Sequence, residues 1–274
     1  MSELELSPPL FTILSSLIEE RVGLSYTLDD KELLASKLSL RAAEMGFDSL
    51  LDYYYFLRYD TGSERELECL VNVLVVNETF FFRELGPLSV LVTELVAPLV
   101  RAGKRPRIWC AACSTGEEPF TLAMLLEQHG MLDDVEMIAS DVSTSALERA
   151  QSGEHGRRSL RSVPAPELAA KWLEVGERSV KVHPTLRRAV QFRQLNLLDQ
   201  AAISAIGSVD FILCRNVLIY FRDAISTRVV SALAGQLLPG GVLLVGISES
   251  LLRFATSLEC EERAGAFLYR KVQK

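Results

Sequence analysis

Histidine is scarce in this chain: His129, His155 and His183 are the only three in 274 residues. None stands near a candidate nucleophile, and the G-x-S-x-G turn that exposes a hydrolase serine is missing. Acyl hydrolysis therefore has little to work with. Cysteine is sparse too. Five residues, an odd and scattered number, do not make a disulfide framework. Cys110 and Cys113 form one C-x-x-C with no second ligand pair at zinc-site spacing, so no metal is expected and the pair should pack in the core. Positive charge is in deficit: the net charge is −7 and no polybasic run occurs, which disfavours nucleic acid or an acidic membrane surface as partner. The most apolar stretch, LVNVLVV, falls far short of the roughly 18 residues of a membrane span. The acidic start MSELELSPPL has neither the basic nor the apolar region of a signal peptide. A reduced, cytoplasmic protein without membrane insertion is expected.

What the chain does have is core. Hydrophobic residues make up 49% and charged residues 24%, enough for one large domain or two modest ones. Residues 1–85 read as helical, with apolar residues at three- and four-residue spacing in SSLIEERVGLSY, KELLASKLSLRAAEMG, SLLDYYYFLRYD and ERELECLVNVLVV. From Pro106 the pattern changes. RIWCAA, VEMIAS, AVQFRQL, DFILC and GVLLVG are apolar runs of strand length, separated by helix-like stretches. Strands alternating with helices imply a mainly parallel, doubly wound sheet. Gly86-Pro87, Pro98 and GKRP place the boundary near residues 85–105, giving domains 1–85 and 86–274. Residues 153–190 form a long charged connection with three prolines, too long for a bare loop. It should hold a small structure of its own, with a hairpin in GERSVKVHPTLRRAVQF.

Polar residues follow three of the strand runs: CSTGEE after the first, Asp141 after the second, Arg215 and Asn216 after DFILC. In open parallel sheets, ligands bind beyond such strand ends. Asp141 lies 25 residues after Gly116, where nucleotide-binding domains place an acid on ribose hydroxyls. The turn is not G-x-G-x-x-G, however, and Glu117 and Glu118 at the helix start would repel a phosphate. They could simply complement the helix dipole. A ligand with a ribose, a positive centre and no phosphate suits the turn better, and S-adenosylmethionine is one. NETFFFRE, residues 77–84, adds polar Asn77, Thr79 and Arg83 amid three phenylalanines.

Taken in order, NETFFFRE, CAACSTGEEPFTLAMLL, IASDVSTSALERAQSG, QLNLLD, ILCRNVLIYF and LLPGGVLLVGISES resemble the successive signatures of bacterial chemotaxis-receptor methyltransferases (CheR-type), across essentially the whole chain. The resemblance implies an N-terminal helical receptor-docking domain and a Rossmann-like, S-adenosylmethionine-dependent methyltransferase domain with a small antiparallel β-subdomain inserted at about 155–190. It implies methyl transfer to glutamate side chains on the chemoreceptor cytoplasmic helical bundle, leaving S-adenosylhomocysteine, by an enzyme expected to be monomeric. Carried over by position, it implies cofactor contacts from Asn77, Thr79, Arg83, Glu117, Asp141, Asn196, Leu197, Arg215 and Asn216. Arg83 and Tyr220 are implied beside the transferred methyl and the acceptor carboxylate. Of the two acids Glu117 is favoured for the cofactor, with Glu118 turned outward. An acidic substrate also implies a basic docking face, for which Lys31, Lys37 and Arg41 are candidates. Similar chains often read SGIYR where this one has SGEHG, and GHSE where it has GISE. VGERSVKV is short in the loop that binds a receptor pentapeptide in some members, so a pentapeptide-independent enzyme is expected. Two rivals stand beside this reading. One is a non-catalytic adaptor, against which Arg83, Asp141, Asn216 and Tyr220 argue. The other is a nucleotide-dependent oxidoreductase, disfavoured by the missing glycines.

Overall fold

A computed structural model of the chain describes residues 4–254 and 256–272. Two compact units emerge: one runs up to Val76 and includes Tyr220–Ile225, the other comprises Asn77–Ile219 and the chain from Ser226 onward. No helix among the described residues is long and apolar enough to cross a membrane.

The first unit contains α1 (Pro8–Val22), α2 (Lys31–Glu44), α3 (Leu50–Tyr59) and α4 (Ser63–Leu74). Prolines open α1, where a missing N–H costs nothing, and Gly23 at φ 83° closes it. Ser49 caps α3 by accepting from the amides of Leu51 and Asp52. Leu14, Leu34, Leu38, Leu57, Leu70 and Leu74 form the apolar interior. One charged group lies inside it: Glu66 accepts from Tyr53 Oη at 2.6 Å and from Arg41 Nε at 2.7 Å. Lys37 Nζ donates to the Leu74 carbonyl at 2.8 Å, closing the end of α4. Two of the three docking candidates, Lys37 and Arg41, are thus bonded inside the unit. Helical spacing puts them on one face, but that face turns toward α4 and both cations are used within the unit. Tyr220–Ile225 packs on the end of α1, with Leu24 bridged to Phe221 and the Tyr220 carbonyl accepting from Ser25.

The second unit begins with NETFFFRE, so this segment travels with the sheet. Gly86-Pro87 opens α5 (Leu85–Val90) rather than breaking the chain, and a π-turn (Leu91–Val96) and α6 (Ala97–Arg101) follow. Then come β1 (Arg107–Cys110), α7 (Glu117–Gln128), β2 (Glu136–Asp141) and α8 (Thr144–Ser152). The insertion carries β3 (Glu154–Gly156), α9 (Pro166–Trp172), β4 (Leu173–Val175), β5 (Ser179–Val182) and α10 (Pro184–Ala189). The chain continues through β6 (Val190–Gln194), α11 (Gln200–Ile206), β7 (Val209–Leu213), α12 (Asp223–Gln236), β8 (Leu237–Leu244), β9 (Leu258–Arg263) and β10 (Ala266–Lys271).

The main sheet has the order β6-β2-β1-β7-β8-β10-β9; β10 alone runs against the rest, antiparallel to both β8 and β9. Each of the five apolar runs read from the sequence is one of its parallel strands. The β9–β10 hairpin went unread, because β9, LECEER, is an edge strand whose charges mask its periodicity. The insertion is a three-stranded antiparallel sheet, order β3-β5-β4. Its hairpin pairs Leu173–Val175 with Val180–Val182, while HPTLRRA, opened by Pro184, turns into α10 and VQFRQ joins the main sheet.

Candidate functional site

The chain crosses from one side of β1 to the other between β6 and β7, so the switch point lies between β1 and β7. The turn after β1 is held tightly there. Ala111 donates to the Leu213 carbonyl at 2.7 Å and Cys113 to the Ser140 carbonyl at 2.9 Å. Gly116 sits at φ 94°, and a Cβ on it would lie 2.9 Å from that of Ala150 in α8. Only glycine allows this turn to lie so close to α8.

Asp141 ends β2 and organises the turn, accepting from the Ser114 amide at 2.7 Å and the Ser143 amide at 3.0 Å. Burial raises its carboxyl above the usual range, against the pull of these amides. Ser114 Oγ donates to Asn77 Oδ1 at 3.2 Å. Asn77, Ser114 and Asp141 are thus joined in one hub. Asn196 and Leu197 lie just beyond it: Leu195 donates to the Asp141 carbonyl at 2.9 Å, and Asn196 Oδ1 accepts from Leu198.

The two acids of the turn differ. Glu117, 1% exposed, accepts from Thr115 Oγ1 at 2.6 Å and Ser159 Oγ at 2.8 Å, and its Oε1 lies 3.1 Å from His155 Nδ1. Burial would raise its carboxyl, but the hydrogen bonds, led by His155, bring it below the usual range. The expectation that Glu118 turns outward is corrected. It lies 2.6 Å from Arg215 Nη1, and burial raises its carboxyl despite that cation. Arg215, only 1% exposed in its side chain, also pairs with Glu84 at 2.7 Å and donates to the Arg83 carbonyl. A buried guanidinium draws in every carboxylate within reach, and one acid of the turn was the nearest.

Asn216 adopts φ 57°, unusual for a side chain larger than glycine. Its loop is pinned by Glu249, whose carboxylate accepts from the amides of Asn216, Val217, Leu218 and Gly246 at 2.7, 3.0, 2.8 and 2.8 Å. In NETFFFRE, Phe81 and Phe82 are buried, and Thr79 and Arg83 are half-buried. Arg83 donates to the Glu78 carbonyl at 2.7 Å and lies over the Phe80 ring. Tyr220 closes a 3-10 turn (Leu218–Tyr220) and is grouped with the helical unit.

Cys110, Cys113 and Cys214 are buried among apolar residues, which pushes their thiols well above the ordinary range. Among the described residues no cluster of three or more His, Cys, Asp or Glu is arranged to hold a metal ion. Sequence reasoning missed Glu84, Ser114, His155, Ser159 and Glu249. The only signals were the departure SGEHG and the acid at the end of GISE.

Residues 9–75 match the family model described as CheR methyltransferase, all-alpha domain, and residues 77–265 match CheR methyltransferase, SAM binding domain. Chemotaxis protein methyltransferase 2 of Vibrio cholerae is 34% identical over 261 residues, covering 93% of this chain and 90% of that protein. Chemotaxis protein methyltransferase 1 of Pseudomonas aeruginosa is 32% identical over 269 residues, covering 95% and 97%. Among solved structures, the rRNA methyltransferase aviRa from Streptomyces viridochromogenes is 17% identical with a TM-score of 0.42, covering 72% of this chain and 88% of that one. That likeness is too distant to bear on activity.

Proposed function

Because the chain belongs to the CheR methyltransferase family, S-adenosylmethionine-dependent enzymes of chemotaxis, we propose that it methylates glutamate side chains on the cytoplasmic helical bundle of chemoreceptors. The products are glutamate methyl esters and S-adenosylhomocysteine, and the role is sensory adaptation. The observation that carries the reading is the Asn77–Ser114–Asp141 hub beside a turn whose first helical residue is a buried carboxylate. This donor set fits the cofactor: acceptors for ribose hydroxyls and negative charge for a cation, with no glycine-rich phosphate cradle.

When bound, S-adenosylmethionine supplies an electrophilic methyl group on a sulfonium. Asp141 and Asn77 are the residues to hold its polar groups, with Thr79, Arg83, Glu117, Asn196, Leu197, Arg215 and Asn216 completing the contacts. Arg215 acts through the charge and shape it imposes on Glu84 and Glu118, since those acids take its guanidinium. A glutamate acceptor, with an ordinary pKa of about 4.3, is already ionised at neutral pH, so no general base is needed. Arg83 orients the acceptor carboxylate by charge-assisted hydrogen bonds. Beside the Asn216 loop lies a cavity of about 360 Å³ lined by Leu218, Ile219, Ser248, Glu249, Ser250, Arg253 and Phe254. With the Glu249 carboxylate taken up by backbone amides, Arg253 is the group there to meet an acidic peptide segment.

Only Gly176–Arg178 separates β4 from β5, closed by a Gly176 N–H to Ser179 carbonyl bond of 2.9 Å. This tight turn supports an enzyme that does not need the receptor pentapeptide. The protein acts in the cytoplasm as a monomer, and nucleic acid is not its partner. Incubation with receptor-bearing membranes and labelled S-adenosylmethionine should release base-labile methanol. Tight S-adenosylhomocysteine binding without any incorporation would replace this reading with a non-catalytic adaptor. Measurable calorimetric binding of the pentapeptide would overturn its independence.

A further inference from the structure

We propose that His155 is a positioning residue that sets the cofactor turn through Glu117. The inference rests on the methyltransferase reading and concerns how the inserted sheet serves it. His129 and His183 are exposed, whereas His155, on β3, is 3% exposed. Its ring stands edge-on to Phe81 at 5.1 Å and to Phe120 at 6.1 Å. Nδ1 faces Glu117 Oε1 at 3.1 Å, while Nε2 is buried with no hydrogen-bond partner among the described residues. A carboxylate can only accept, so the hydrogen of this bond sits on Nδ1, and Nε2 is left without a partner beside aromatic rings. The pair is therefore a directed N–H···O⁻ bond.

Ser159, four residues later in the chain, strengthens the same clamp. Its hydroxyl donates to Glu117 Oε1 at 2.8 Å, and its carbonyl accepts from the Phe81 amide at 2.8 Å. The insertion thus grips both the turn Ser114–Glu117 and the NETFFFRE segment. Glu117 passes the constraint on: Oε2 accepts from Thr115 Oγ1, and its backbone carbonyl accepts from Thr121 Oγ1, which in turn accepts from the Phe82 amide at 3.1 Å. With His155 removed, the Glu117 carboxylate loses one of its three side-chain donors and its single orientation. The turn carrying Ser114, and with it the Asp141 hub, is freed to move.

The test uses three variants of the full-length protein, with S-adenosylhomocysteine calorimetry, thermal unfolding and KM for S-adenosylmethionine. In His155→Asn the amide nitrogen falls where Nδ1 was; in His155→Gln it reaches the Nε2 position. His155→Ala and His155→Gln should weaken S-adenosylhomocysteine binding about tenfold or more, the value of a hydrogen bond to a buried charge. His155→Asn should stay within about threefold of wild type, and the loss should appear in KM rather than kcat. A pure packing role predicts the reverse order, since glutamine is nearer to histidine in volume. Rescue by Gln equal to or better than rescue by Asn overturns the proposal, as does wild-type affinity in His155→Ala. Failure of the wild-type chain to bind S-adenosylhomocysteine at all would instead overturn the methyltransferase reading, and this inference with it.

Discussion

Replacing Glu249 by alanine removes the acceptor for four backbone N–H groups at once, those of Asn216, Val217, Leu218 and Gly246. Asn216 and Val217 are half-buried and recover water, whereas Leu218 and Gly246 are buried. Two orphaned buried donors at roughly 1–3 kcal/mol each give a loss of about 2–6 kcal/mol. For a protein of this size that lowers the unfolding midpoint by roughly 3–10 °C. The φ of 57° at Asn216 is held against its own preference by these bonds, so the loop should also relax toward ordinary backbone. Glu249→Gln keeps one carbonyl oxygen and turns an N–H₂ toward the remaining amides, so its loss should be about half as large. Differential scanning calorimetry reads both variants, and S-adenosylhomocysteine titration reads the loop. A fall of under about 2 °C for the alanine variant would show that water or a local rearrangement satisfies these amides, and the pinning argument would be wrong.

Gly116→Ala must place a Cβ 2.9 Å from Ala150 Cβ at φ 94°, so it should cost about 1–3 kcal/mol and weaken cofactor binding. Wild-type stability by urea titration would refute it. Arg41→Glu leaves Glu66 buried beside a like charge and should destabilise by about 3–5 kcal/mol. A variant that slows receptor methylation while unfolding like the wild type would assign Arg41 to docking instead. Glu117 has its carboxyl held below the ordinary range, so its contribution is complete above about pH 4.3 and is lost as pH falls through the lowered folded value. Glu117→Gln should therefore flatten the acid limb of the stability profile between about pH 5 and 3. An unchanged limb would place the acid sensitivity elsewhere.

The parts of the site legible from sequence are those whose position is local. Asp141 ends a buried parallel strand, and such strands are continuous apolar runs, so the residue at the end is marked by the change to polar. Gly116 and the acids after it fall between a strand and a helix that the sequence states directly. The pairing of these groups was another matter. Glu117 and Glu118 are neighbours with the same side chain, yet one is bound by His155 and Ser159 and the other by Arg215. Those partners lie 38, 42 and 97 residues away in the chain. Helical spacing likewise put Lys37 and Arg41 on a common face without saying that the face meets α4.

By itself the sequence determined the helical N-terminal part, the five parallel strands and the strand-end residues of the switch point. Backbone preference and burial periodicity act over a few residues, and those few residues are on the page. Tertiary structure alone decided which carboxylate is clamped, which is paired with the buried arginine, and that a scarce histidine from the inserted sheet reaches the turn after β1. Those choices are made by desolvation. A buried charge takes whichever donor the fold brings within about 3 Å, and distance along the chain carries no information about that.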